Sequence, residues 1–62
     1  MGIQKFKKEI NEQIAKHPSL KEEILDFYEL AITEILEGSS STHEIELCLQ
    51  SINDLIEENG NN

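Results

Sequence analysis

The sequence predicts an all-α fold: a compact three-helix domain, built from a helical hairpin plus a third helix, with the central helix packed between the other two. Two observations predict it. Apolar residues recur at three- and four-residue spacing in three segments, and residues that start or stop helices separate those segments. We expect helices over residues 4–16, 20–37 and 43–58 of a single domain spanning 1–62, with a frayed tail at 59–62.

The first segment carries a narrow apolar stripe on a helix. Pro18 disfavours helical conformation at the residue before it, so the helix is predicted to end near Lys16. So short a connection to the next helix is typical of an antiparallel hairpin. The residues of the stripe are Ile3, Phe6, Ile10, Ile14 and His17.

The central segment has a start and a stop signal. Ser19 and Glu22 have the spacing of a capping box, and Gly38 can adopt the left-handed conformation that ends a helix. Its apolar residues cover an arc of about 180°, whereas one neighbour needs only about 100°. We therefore expect the central helix to contact two neighbours, or one neighbour and a second copy of the chain. The arc contains Leu20, Ile24, Leu25, Phe27, Tyr28, Ala31, Ile32, Ile35 and Leu36.

The third segment follows a run of small polar residues at 38–42. Ser41 with Glu44 forms a second capping box, and Thr42 is an alternative cap. Its core-facing stripe, about 120° wide, excludes Leu47, as the arc of the central helix excludes Leu30. The candidate protein-contact residues on the central and third helices are Leu25, Leu30, Leu36 and Leu47.

Charge is distributed very unevenly along the chain. The first 21 residues hold all five lysines and two acids, a net charge of +3, whereas residues 22–62 hold eleven acids and no Lys or Arg, a net charge of −11. Nucleic-acid binding depends on cations that displace counterions from phosphates, so we expect no direct contact with DNA or RNA. The candidate acidic face of the central helix comprises Glu22, Asp26, Glu29 and Glu37.

No pattern in the sequence points to a catalytic, cofactor or metal site. His43 and Cys48 are five residues apart, which does not suit two metal ligands on one helix. Cys48 falls in an apolar stripe without a nearby cation to lower its pKa, so we interpret it as a small core residue. We expect a non-enzymatic protein without cofactors.

Composition suggests the setting in which the chain works. A single cysteine excludes an internal disulfide, and no run of about 18 apolar residues is present to span a membrane. We expect a cytoplasmic protein that does not bind membranes. The absence of Arg and Trp beside abundant Ile, Glu, Asn and Lys is typical of an AT-rich bacterial or phage gene.

Three functions fit these observations to different degrees. A chain of 62 residues has a small core and often relies on a partner for stability, so the first is a protein-interaction module that self-associates as a homodimer. The alternative is an acidic inhibitor that imitates nucleic acid and binds a basic protein. A helix-turn-helix DNA-binding domain is disfavoured, because its third helix would carry acids and no cation into the major groove.

Overall fold

In a computed structural model that describes residues 2–60, three α-helices follow one another along the chain. They are Ile3–Lys16 (α1), Lys21–Leu36 (α2) and Ser41–Gly60 (α3), and a single 3-10 turn, Pro18–Leu20, precedes α2. α2 packs against both α1 and α3, and the described part of the chain measures 38 × 18 × 17 Å. These contacts confirm the predicted all-α, three-helix architecture with a central second helix.

The core lies along the inner faces of all three helices. Phe6 and Ile10 are the buried residues of α1, and the Phe6 ring meets the Tyr28 ring of α2 with centroids 5.1 Å apart and planes inclined at 50°. Such a tilted aromatic contact adds to the effect of burial. The buried core residues are Phe6, Ile10, Leu20, Ile24, Ala31, Ile45, Cys48 and Ile52.

The predicted capping box at Ser19 is not formed. Ser19 lies inside the 3-10 turn, and α2 begins at Lys21 with no side-chain cap. The turn is closed by the Leu20 amide, which donates to the His17 carbonyl at 3.0 Å, while the Leu20 side chain is buried in the core. Burial of Leu20 and the fixed φ of Pro18 therefore position this corner, instead of a hydrogen bond from the Ser19 hydroxyl.

At the other end of α2, Gly38 stops the helix as the sequence predicts. It has φ +109°, its amide donates to the Ile35 carbonyl at 3.1 Å, and the Ser39 amide donates to the Glu34 carbonyl at 3.0 Å. These two bonds constitute a Schellman motif, which satisfies carbonyls that the helix end would otherwise leave unpaired. The chain then reverses within four residues, and α3 returns along α2.

Replacing Gly38 with alanine should destabilise the fold. A left-handed conformation costs a residue with a Cβ about 1–2 kcal/mol, and we expect the free energy of unfolding to fall by that amount. Urea denaturation followed by circular dichroism measures it. Gly60→Ala is the matched control, because Gly60 lies in α3 with open space around the added Cβ. A Gly38→Ala variant as stable as that control would contradict the assignment of the turn.

Both ends of α3 differ from the prediction. The helix starts at Ser41, and its cap is Ser40, whose hydroxyl oxygen accepts a weak hydrogen bond from the His43 amide at 3.4 Å. At the far end the helix continues through Gly60, and the Asn59 side-chain amide donates to the Leu55 carbonyl at 2.9 Å. Residues 59 and 60 of the predicted frayed tail are thus helical, and 61 and 62 lie outside the described residues.

Candidate functional site

The packing of α2 against α3 leaves an apolar groove on one side of the helix pair. Its volume is about 250 Å³. Enclosed sites for small molecules measure about 300–1,000 Å³, so this groove is smaller than such a site and has room for only a few amino-acid side chains. We call it the α2–α3 groove, and it is lined by Phe27, Leu30 and Ala31 of α2 and Glu44, Leu47, Cys48 and Ser51 of α3.

The groove lining combines small buried residues with larger exposed ones. Ala31 and Cys48 form its floor and are only 4% and 5% exposed. Leu30 and Leu47 stand at its edges and remain 60% and 47% exposed. The two exposed leucines that the sequence singled out on separate helices thus belong to one surface.

The other two candidate contact residues lie elsewhere. Leu25 is half-buried and packs against the core, so most of its apolar surface is already used within the chain. Leu36 is the last residue of α2, is 82% exposed and is not part of the groove lining. The structure therefore joins Leu30 with Leu47 and separates both from Leu25 and Leu36.

The groove contains two titratable side chains, Glu44 and Cys48. Glu44 is half-buried in the first turn of α3, where a carboxylate interacts favourably with the helix dipole. Burial raises the pKa of the Cys48 thiol from its ordinary value of 9.0 to about 11. At neutral pH this thiol is protonated, and a protonated thiol is a poor nucleophile.

Further acids extend the groove at both of its ends. Residues three, four and seven apart share a face of a helix, which places Glu23 and Glu34 in line with Phe27 on α2. The same spacing places Asp54 in line with Leu47 on α3. The α2–α3 groove is thus an apolar strip between carboxylates, with no Lys or Arg among its lining residues.

The predicted acidic face is a separate feature of α2. Glu22, Asp26 and Glu29 are exposed and share one face, since they are three and four residues apart. Over seven residues this line is roughly 10 Å long. Glu37 is exposed too, but it is the C-cap that follows α2.

Most of the groove lining is not predicted from the sequence to form a surface. Phe27, Ala31 and Cys48 are predicted to be core residues, Glu44 is predicted only to cap the start of the third helix, and Ser51 has no predicted role. The available signal was spacing, because these residues lie one, three or four positions from Leu30 or Leu47. Spacing within each helix does not give the register of α3 along α2, and this register brings Leu30 and Leu47 to the same groove.

Comparisons with known proteins do not extend this picture. The chain matches no protein-family model, no curated protein and no solved structure. Among residues 2–60, no helix is long and apolar enough to cross a membrane, and no three His, Cys, Asp or Glu side chains are grouped so as to hold a metal ion. The geometry and charge of the α2–α3 groove are therefore the features of this chain that bear on its function.

Proposed function

We propose that this chain is a small acidic, non-enzymatic protein-interaction module that binds one face of a helix in the α2–α3 groove. The observation that carries the proposal is the position of Leu30 and Leu47, which remain 60% and 47% exposed on either side of a buried floor. Scattered exposed leucines are ordinary on a protein surface. Two that border one concave apolar strip match the way amphipathic helices bind in hydrophobic grooves.

The chemistry of the groove supports binding over catalysis. Burial raises the pKa of the Cys48 thiol from 9.0 to about 11, so even less of this thiol is ionised at neutral pH than of an ordinary cysteine. A general acid–base mechanism needs groups held in a cleft with suitably perturbed pKa values. Glu44 is the other titratable group of the lining, and the lining contains no second general acid or base that could act with it.

A neutral helical peptide tests the proposed function directly. The probe is a peptide of about 18 residues, long enough to form a helix on binding, with a leucine stripe on a glutamine and alanine background. We expect it to bind with micromolar affinity in fluorescence anisotropy. Because both edges of the groove are leucine, the double variant Leu30→Ser/Leu47→Ser should bind at least about tenfold more weakly.

Leu36→Ser is the matched control, since Leu36 is exposed but lies outside the groove. It should bind the peptide as the unaltered chain does. Equal affinities of all three proteins would show that the leucine stripe binds elsewhere and would refute the function. Circular dichroism of each variant confirms that the helices remain, as expected for substitutions at exposed positions.

The acidic inhibitor remains the second candidate, favoured by the exposed line of Glu22, Asp26 and Glu29 on α2. Such a mimic needs carboxylates at phosphate-like spacing and has no use for an apolar groove. Neutralising the line with Glu22→Gln, Asp26→Asn and Glu29→Gln distinguishes the two functions. If the chain is an inhibitor of this type, the triple variant should bind a basic protein such as a histone more weakly. Binding of the neutral peptide in the groove should be unaffected.

A further inference from the structure

We propose that the occupant of the α2–α3 groove is a cationic amphipathic helix of another protein, and that it is not a second copy of this chain. This inference rests on the proposed function and adds to it the chemistry of the partner. It follows from three observations: the charge around the groove, the charge of the same surface on a second copy, and the few exposed apolar residues on the basic helix α1.

The charged residue of the groove lining and those we place in line with its rows on α2 and α3 are all acidic. Glu44 is part of the lining, and Glu23, Glu34 and Asp54 continue the two groove-facing rows by helical spacing. From residue 22 onward the chain has no Lys or Arg at all. A helix with apolar residues on one side and Lys or Arg along its flanks would therefore bury its apolar side between leucines and place its cations beside carboxylates.

A second copy that docks groove to groove does not have this complementarity. A symmetric dimer brings the same surface of both chains together, so the acids of one groove would face the acids of the other. Each copy carries a net charge of −10 over residues 21–62, the segment that contains both groove helices, since eleven acids there stand against one lysine, Lys21. Like charges placed opposite one another across an interface act against association.

A second copy that docks through its basic helix lacks apolar anchors. The large apolar residues of α1 point inward: Phe6 and Ile10 are fully buried and Ile14 is half-buried and packed against the core. Ile3 is the one exposed large apolar residue of α1, at 43%. The outer face of α1 thus offers lysines to an acidic groove but no stripe of side chains to fill it.

The length of the groove limits the part of the partner that it contacts. Phe27 to Ala31 and Glu44 to Ser51 span about one to two helical turns, or roughly 6–10 Å. A partner helix therefore contacts the groove through two or three apolar residues at positions such as i, i+3 or i+4, and i+7. Lysine and arginine side chains adjacent to these anchors are long enough to reach the flanking carboxylates.

Three peptides that share one leucine stripe test the inference. The first is the neutral peptide described above, and the others carry lysine or glutamate in place of its glutamines. We expect the Leu–Lys peptide to bind roughly tenfold or more tightly than the Leu–Gln peptide, and the Leu–Glu peptide to bind most weakly. At about 1 M salt, where charges are screened beyond roughly 3 Å, the three affinities should converge.

Variants of the chain locate the effect. Glu34→Gln/Glu44→Gln should weaken binding of the Leu–Lys peptide several-fold, because partly exposed charge pairs contribute modestly, and should leave the Leu–Gln peptide unaffected. Glu22→Gln/Glu29→Gln removes the same number of charges from the separate acidic face and is the matched control. Leu30→Ser/Leu47→Ser should weaken binding of both peptides.

The possible failures are distinguishable. Equal affinity for the three peptides, with continued dependence on Leu30 and Leu47, would overturn the cationic partner and leave the proposed function standing. If the Leu–Lys peptide binds tightly and its affinity is unchanged in the Leu30→Ser/Leu47→Ser variant, both the cationic partner and the proposed function would be overturned. Sedimentation equilibrium at micromolar concentration gives the remaining outcome: a dimer that Leu30→Ser/Leu47→Ser dissociates would show that a second copy fills the groove and would overturn this inference alone.

Discussion

Replacing Phe6 with alanine is expected to lower the free energy of unfolding by about 3–5 kcal/mol, the usual cost of removing a buried phenylalanine ring. Phe6 is fully buried, and its ring is 5.1 Å from that of Tyr28 across the α1–α2 contact. A domain of this length has a total stability of roughly 3–9 kcal/mol. The substitution therefore removes a large part of the stability and is expected to leave much of the population unfolded.

Thermal and urea denaturation followed by far-ultraviolet circular dichroism measure this effect. Ile3→Ala is the matched control, because Ile3 is an apolar residue of the same helix but is 43% exposed. It should cost well under half as much, since its truncation leaves little cavity. A Phe6→Ala variant within about 1 kcal/mol of the unaltered chain would show that the Phe6 ring does not hold α1 on α2.

The second large effect concerns the reactivity of Cys48. Burial raises the pKa of its thiol from 9.0 to about 11, so at pH 7–8 the thiolate fraction is roughly 100-fold below that of an ordinary cysteine. We expect alkylation of the folded chain to be at least that much slower than alkylation of the chain unfolded in guanidinium. A time course of maleimide labelling measured by mass spectrometry checks it.

Leu47→Cys in a Cys48→Ser background is the control for this experiment. Position 47 is at the edge of the same groove and is 47% exposed, so its thiol should react at an ordinary rate. If native Cys48 reacts as fast as the cysteine at position 47, it is not the buried thiol of the groove floor.

The raised pKa of Cys48 also makes the free energy of unfolding depend on pH in the alkaline range. Below about pH 9 the thiol is protonated in the folded and the unfolded chain, so it adds no pH dependence. Between about 9 and 11 the unfolded chain releases this proton while the folded chain retains it. The unfolded state then binds fewer protons, and the thiol's contribution makes stability fall as pH rises through this window.

The helices were predictable because their signals are local. The three- and four-residue spacing of Phe6, Ile10 and Ile14 specifies one face of α1 without reference to the rest of the chain. Gly38 likewise marks the end of α2, since the left-handed conformation there needs only the residue itself and the turn before it. Both observations concern a few consecutive residues, which is the range over which sequence patterns are informative.

The capping residues were harder to predict, because tertiary packing competes with local hydrogen bonds. Ser19 and Glu22 have suitable spacing for a capping box, yet Leu20 between them is buried in the core and a 3-10 turn occupies the position. Ser41 and Thr42 are the caps predicted for α3, whereas the structure uses Ser40. Neighbouring hydroxyls are equivalent in sequence, and only the path of the chain between α2 and α3 selects one.

The groove could not be predicted from the sequence either, because it also depends on tertiary packing. The sequence predicts that Leu30 and Leu47 lie outside the core-facing stripes of two helices, but their proximity depends on the register of α3 along α2. That register follows from the Schellman turn at Gly38, the four-residue reversal and the interdigitation of core side chains. Ala31 and Cys48 look like ordinary core residues until the register shows that they form the floor of a groove between larger side chains.

The sequential packing of the helices has a consequence for how quickly the chain folds. α2 contacts the helix before it and the helix after it, and both connections are short. Folds whose contacts join segments close in sequence fold in microseconds to milliseconds, because no long loop has to close first. The isoleucine- and leucine-rich faces of α2 and α3 are therefore exposed to other chains only briefly each time the protein unfolds and refolds.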